Sequence, residues 1–145
     1  MSASAEETFS LGRRIVRSLS PGSVVAIQGG LGSGKTCLAK GIARELGVDE
    51  PLTSPTYTII SEYPIDRLQD NRQTSILYHI DAYRLDNDED FDNIGGKELI
   101  SSNGIALIEW SDRIQKSLPD NAISIVMEIT GLETRLIKIN GMEFL

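Results

Sequence analysis

Eight consecutive residues, Gly29-Gly30-Leu31-Gly32-Ser33-Gly34-Lys35-Thr36, have the types and spacing needed to hold a polyphosphate. Glycines let successive backbone N–H groups turn inward around an anion with no Cβ in the way. Lys35 is spaced to reach β- and γ-phosphate oxygens, and the Thr36 hydroxyl to ligate Mg²⁺. The candidate phosphate contacts are Gly29, Leu31, Gly32, Ser33, Gly34, Lys35, Thr36 and Cys37. The competing reading is a flexible glycine loop with no ligand. Two carboxylates, Asp81 and Glu109, each end a short apolar run. An Asp at such a strand end holds Mg²⁺ in P-loop enzymes, directly or through water. Glu109, followed by Trp110, is placed to complete the metal shell or to polarise an attacking water. Lys35, Asp81 and Glu109 are thus the candidate catalytic residues, and Thr36, Asp81 and Glu109 the candidate metal ligands. The plainer alternatives are a strand-end Asp capping a turn and a surface Glu. Ser54-Pro55-Thr56 stands where several P-loop classes carry a loop that senses the γ-phosphate through a hydroxyl. Ser54 and Thr56 are candidate contacts on that ground, against a simple proline turn.

These residues need a scaffold that presents them together. Residues 6–19 read as a helix, with Leu11, Ile15 and Leu19 on one face. Thr8 or Ser4 is placed to cap it, and Ser4-x-x-Glu7 has the capping-box pattern. Pro21-Gly22 breaks it. Residues 23–28 contain Val24-Val25-Ala26-Ile27, which suits a strand buried on both faces. The glycine loop follows, then a helix over 36–46 that stops at Gly47. Strand before and helix after is the context a working phosphate loop requires. Residues 52–60 read as a loop entering a strand, 66–74 as a hairpin tip or surface loop, and 76–80 as a buried strand. Residues 86–100 read as acidic helical turns interrupted at Gly95-Gly96. Further strands are expected over 105–108, 122–129 and 135–139, the last two joined as a hairpin near Gly131. The pattern predicts a single-domain α/β P-loop NTPase fold: a mixed, mainly parallel sheet flanked by helices. Ligands of such sheets sit beyond the carboxyl ends of the strands, where the loop, Asp81 and Glu109 all fall.

Composition narrows the function classes. The chain has 145 residues, a common size for one domain. No run approaches the roughly 18 apolar residues of a membrane helix. The segment Met1-Ser2-Ala3-Ser4-Ala5-Glu6-Glu7 lacks the basic start and apolar stretch of a secretory signal. A cytoplasmic location without membrane attachment is expected. One cysteine, Cys37, and one histidine, His79, exclude an intramolecular disulfide and a Cys/His zinc site within one chain. The net charge of −7 argues against a protein that grips nucleic acid alone. It leaves room for a pathway in which a partner holds the RNA.

Several features look bland. Asp86, Asp88, Glu89, Asp90 and Asp92 crowd one stretch, but Phe91 and Lys97 occupy positions where a calcium loop needs Gly and Glu. Asp92-Asn93-Ile94-Gly95 spells D-x-x-G, but no apolar strand precedes it. Cys37 falls in a first helical turn, where a thiolate can be favoured, although burial as a small apolar residue competes. His79 shares a strand face with Asp81. Its default is a packed, hydrogen-bonded side chain. A nucleoside kinase, which would need an acceptor pocket and an arginine-bearing lid, and a non-catalytic nucleotide-dependent scaffold are the alternatives to an ATPase.

The segments together resemble the bacterial TsaE (formerly YjeE) family, ATPases of tRNA threonylcarbamoyladenosine synthesis. The resemblance lies in the glycine loop, Ser54-Pro55-Thr56-Tyr57-Thr58 with Glu62-Tyr63, His79-Ile80-Asp81-Ala82-Tyr83-Arg84-Leu85, and Glu109-Trp110, and spans about residues 8–139. It implies ATP and Mg²⁺ as cofactors, Thr36 and Glu109 as metal ligands, and Asp81 as the Walker-B-like carboxylate. It implies a switch-like loop at Ser54 and Thr56. It also implies two partners, TsaB and TsaD, whose threonylcarbamoyl-transfer complex handles the tRNA and is reset by ATP turnover. Oligomeric state is left open. Gly30 stands where the family usually has Asp, Cys37 where Thr is common, and Ala82 where Leu is common. The extra glycine is expected to loosen the loop.

Overall fold

The computed structural model describes residues 2–48, 50, 52, 60–65 and 76–141. Six strands make one sheet in the order β2-β3-β4-β1-β5-β6, where β1 is Val24–Gly29, β2 Ile60–Pro64, β3 Ile76–Asp81, β4 Ile105–Glu109, β5 Ile123–Ile129 and β6 Arg135–Asn140. The four central strands, β3, β4, β1 and β5, run parallel. The edge strands β2 and β6 are antiparallel to their neighbours. This is the mixed, mainly parallel α/β sheet expected from the sequence.

Side chains alternate across a strand, and the apolar runs fill both faces accordingly. Val25, Ile27, Leu107 and Ile125 pack on one face against Ile15, Leu38, Ile42 and Leu46. These come from two helices, α1 (Ala5–Ile15) and α2 (Lys35–Glu45), with Leu46 as the C-cap of the second. Val24, Ile80, Ala106 and Ile108 face the other way, toward Phe91 and Ile114. Phe91 lies on α3 (Asp88–Asn93), which is followed by α4 (Gly96–Ile100). Every residue of β4 is buried, as a central strand covered on both faces requires.

Two local expectations are corrected. The first helix does not stay α-helical to Leu19. It tightens into a 3-10 turn over Val16–Ser18, and Leu19 is already extended. Pro21 disfavours helical geometry at Ser20, so the chain leaves the helix ahead of it, closing with the short 3-10 turn common at helix ends. Its cap is Ser4, whose hydroxyl accepts the Glu7 N–H at 3.1 Å. Glu7 reaches back to the Ala3 N–H, 2.6 Å away, one residue beyond the usual capping-box partner. Thr8 is not a cap: it is buried, with its hydroxyl 2.8 Å from that of Ser2. The readings made for 53–59 and 66–74 lie outside the described residues.

α1 and α2 meet through glycines. A Cβ on Gly41 would strike the Phe9 carbonyl, and one on Gly12 the Leu38 carbonyl. Backbone contact this close leaves no room for relaxation. Since α2 begins at the glycine loop, the crossing also anchors the site. Gly41→Ala is expected to lower the unfolding free energy by about 1–3 kcal/mol, as overpacking does. Gly30→Ala, which places its methyl in open space, is expected to stay within about 0.5 kcal/mol of the parent. Urea midpoints compare the two.

Candidate nucleotide-binding site

β1 ends at Gly29 and α2 starts at Lys35, so the loop between them spans sheet and helix. The α2 N-cap is Gly34, at φ +100°, a left-handed conformation that favours glycine. A side chain on Gly29 would collide with Ser33 and the Met127 carbonyl. Gly30, by contrast, uses no special conformation and faces open space. The Ser33 N–H closes a turn on the Gly30 carbonyl at 3.1 Å, so the extra glycine sits inside an ordered turn. Leu31 is 84% exposed, which leaves only its backbone to meet a phosphate. The first turn of α2 presents the backbone N–H groups of a helix start and the positive end of the helix dipole.

Lys35 folds back over this loop. Its Nζ donates to the Gly29 and Gly30 carbonyls, both at 2.8 Å, and lies 4.1 Å from the centre of the Trp110 ring. Burial pushes the Lys35 ammonium pKa down, while the charges of Glu109, Asp81 and Asp112 push it back up. An anion entering the loop would supply the negative charge this ammonium lacks.

β3 and β4 are in parallel register, with Asp81 directly beside Glu109 at their carboxyl ends. Glu109 is 3% exposed, and both its oxygens are engaged. Oε1 accepts the Thr36 hydroxyl at 3.0 Å. Oε2 lies 2.5 Å from Nε2 of the fully buried His79. Asp81 caps the 3-10 turn Ala82–Arg84 by accepting the Tyr83 N–H at 3.0 Å through Oδ1. The turn-capping role of Asp81 is thus present, and it leaves Oδ2 for another ligand.

Trp110 follows Glu109 at φ +59°. For a bulky L-residue this costs about 1–2 kcal/mol, and it persists only where surroundings dictate it. The ring lies against Tyr83, centroids 4.9 Å apart, and beneath Lys35. A cavity of about 440 Å³ opens here, lined by the loop, Asp81, Tyr83, Glu109 and Trp110. Arg113 stands 5.6 Å from the Tyr83 ring on the rim.

The donors that converge are hard oxygens: the Thr36 hydroxyl and the carboxylates of Asp81 and Glu109. Among the described residues, no group of three or more His, Cys, Asp or Glu could hold a metal ion unaided. Two carboxylates and a hydroxyl fit Mg²⁺, which draws the rest of its shell from water and substrate phosphates. Cys37 follows the burial reading and not the thiolate one. Its Sγ–H donates to the Ala5 carbonyl at 3.3 Å, and burial pushes its pKa up, outweighing the nearby Lys40 charge. The helix start does not make it a thiolate. Ser54 and Thr56 lie outside the described residues. His79 is the packed, hydrogen-bonded side chain expected, and its partner, 30 residues away, is Glu109. One participant carried no signal in the sequence. Arg135 donates to the carbonyls of Gly32 and Ser33 from more than 100 residues away.

The family described as "Threonylcarbamoyl adenosine biosynthesis protein TsaE" matches residues 2–137. A tRNA threonylcarbamoyladenosine biosynthesis protein TsaE of Treponema pallidum (strain Nichols) is 41% identical over 129 residues, covering 89% of this chain and 90% of that protein. Its namesake in Bacillus subtilis (strain 168) is 35% identical over 130 residues, covering 90% and 77%. Among solved structures, the crystal structure of YdiB from Bacillus subtilis superposes with a TM-score of 0.71 at 32% identity, covering 94% of this chain and 79% of that one. No helix among the described residues is long and apolar enough to cross a membrane.

Removing the His79 ring would leave a buried carboxylate short of a partner. His79→Ala is expected to lower the unfolding free energy by about 2–3 kcal/mol. Part of the loss should return in the double variant His79→Ala/Glu109→Ala, read by urea unfolding. For Cys37, a raised pKa keeps the thiol protonated to higher pH. Its alkylation by iodoacetamide should therefore run slower than that of a free cysteine between pH 7 and 9.

Proposed function

Because this chain belongs to the TsaE family, we propose that it acts in tRNA threonylcarbamoyladenosine synthesis as a Mg²⁺-dependent ATPase. Its turnover resets the TsaB–TsaD threonylcarbamoyl-transfer complex between cycles. The observation that carries this reading is the meeting of Thr36, Asp81 and Glu109 beside a complete phosphate loop.

ATP binds with its phosphates in the loop from Gly29 to Thr36. Lys35 exchanges its carbonyl bonds for β- and γ-phosphate oxygens. Thr36, Asp81 and Glu109 would hold Mg²⁺, which would supply charge neutralisation at those oxygens. Glu109 also orients the attacking water, with His79 fixing one oxygen so that the carboxylate cannot rotate freely. Trp110 and Tyr83 wall the cavity and limit solvent. The Ser54–Thr56 segment senses the γ-phosphate and reports it to the partner surface. The chain works as one domain in the cytoplasm and meets tRNA only through the complex, in keeping with its net charge of −7.

Turnover by the isolated chain is slow. A stabilising arginine is worth about 10³–10⁵ in rate. Arg113 stands at the Tyr83 ring, and Arg135 grips the outside of the loop. Arg84 and Arg113 are the candidates within the chain, and in this reading a partner completes the charge stabilisation.

The test is ATP hydrolysis by the purified chain with and without TsaB and TsaD, with Glu109→Ala as control. The expected rate of the lone chain is far below the roughly 10 s⁻¹ of a kinase, rising with both partners and collapsing in the variant. Kinase-like turnover by the chain alone, or a rate indifferent to the partners, would sink the partner-gated reading.

A further inference from the structure

The loop's outer side is held by a side chain that the phosphate motif does not include. Arg135 opens β6 and is half-buried. Its guanidinium makes four bonds, all to backbone carbonyls. Nε donates to Ser33 at 3.1 Å and Nη2 to Gly32 at 3.1 Å. Nη1 donates to Gly131 at 3.1 Å and to Thr134 at 2.8 Å, both in the β5–β6 turn. One planar fork thus ties the loop to the hairpin.

Arg135 is itself fixed from two sides. It pairs with Ile129 on β5. On its other edge it forms an isolated antiparallel bridge with Ser2, N–H to carbonyl at 2.8 and 2.7 Å in the two directions. The Ser2 hydroxyl bonds to Thr8, whose methyl would lie 3.8 Å from a Cβ on Gly34. The clamp therefore has a rigid base, made by the start of the chain and the last hairpin.

The consequence follows from peptide geometry. In a trans peptide the C=O and N–H point in opposite directions. Drawing the Ser33 carbonyl outward turns the Gly34 N–H toward the concave side of the loop. Drawing the Gly32 carbonyl outward sets the Ser33 N–H in its turn to Gly30. A cation on the carbonyl ends also polarises both peptide units, making the N–H ends better donors to an anion. We propose that Arg135 is a positioning residue for polyphosphate binding, acting from behind the loop: by holding the Gly32 and Ser33 carbonyls it fixes the Gly30–Ser33 turn and aims the Gly34 N–H inward. It touches no substrate atom in this role. The proposal rests on the phosphate-binding reading of the loop.

Two readouts test it. The first is the exchange rate of the loop amides in the nucleotide-free protein, resolved residue by residue by NMR. The second is calorimetric affinity for ADP and ATP with Mg²⁺. Arg135→Ala is expected to speed exchange at Ser33 and Gly34 and to weaken both nucleotides about tenfold, the size of losing hydrogen bonds to a charged group. Amides of β3 and β4 should keep their protection, which a general loss of structure would not allow. Arg135→Lys, a point charge in place of a fork, should fall between the two. It decides the matter if Arg135→Ala does not fold. Unchanged exchange and unchanged affinity, with normal binding by the parent, would overturn the proposal and leave the phosphate reading intact. Failure of the parent to bind either nucleotide would overturn the phosphate reading, and with it the link from Arg135 to affinity.

Discussion

A carboxylate held almost entirely out of water is the constraint on which this site depends. An unpaired buried charge is costly enough to unfold or neutralise itself. Glu109 avoids this by accepting from His79 on β3 and from Thr36 at the start of α2. The same two contacts fix the lateral register of β3 against β4 and the position of the loop's last residue. Packing elsewhere answers to that arrangement. The glycine crossing of α1 and α2 holds α2 close, so its first turn meets the strand ends. Asp81 arrives beside Glu109 because parallel register leaves it nowhere else.

The site combines charge of both signs at short range. Lys35 lies among carbonyls and against an indole face, held with a lowered pKa by burial. The neighbouring carboxylates offset only part of that penalty. A polyphosphate would give the ammonium and the helix N-terminus a full negative partner. A divalent ion would let the carboxylates and phosphates share one small space. The strained backbone at Trp110 belongs to the same design. It places a large ring under the lysine directly after the carboxylate, a direction an extended strand would not provide.

Much of this was legible in the sequence, for identifiable reasons. Val24 to Ile27 and Ile105 to Ile108 are uninterrupted apolar runs, and only a strand covered on both faces uses such a run. The Gly-Lys-Thr signal sits between strand and helix patterns, which fixed the place of the loop. The antiparallel β5–β6 edge of the sheet followed from the Gly131 hairpin. What stayed hidden depends on contacts across long sequence separations. Nothing local tells that His79 faces Glu109, because strand adjacency, not spacing, brings them together. Arg135 read as a strand residue at the edge of the sheet, since its four acceptors are backbone carbonyls with no sequence signature. For Cys37 the helix position and its small apolar size pointed opposite ways, and partial burial with a bond to the Ala5 carbonyl settles it for the protonated thiol. The end of α1 at Ile15, with a 3-10 turn after it, had no local signal short of Pro21, which restricts only Ser20.

The most direct test of a magnesium–nucleotide site at these strand ends uses the single tryptophan as its probe. Trp110 lies 4.1 Å from the Lys35 ammonium on the cavity wall, so its emission should report occupancy of the loop. Titration of ATP with and without Mg²⁺ should give a saturable change in the parent, tighter with the metal, and none in Lys35→Ala. A flat emission in the parent, with no heat of binding in a parallel calorimetric titration, would contradict the account.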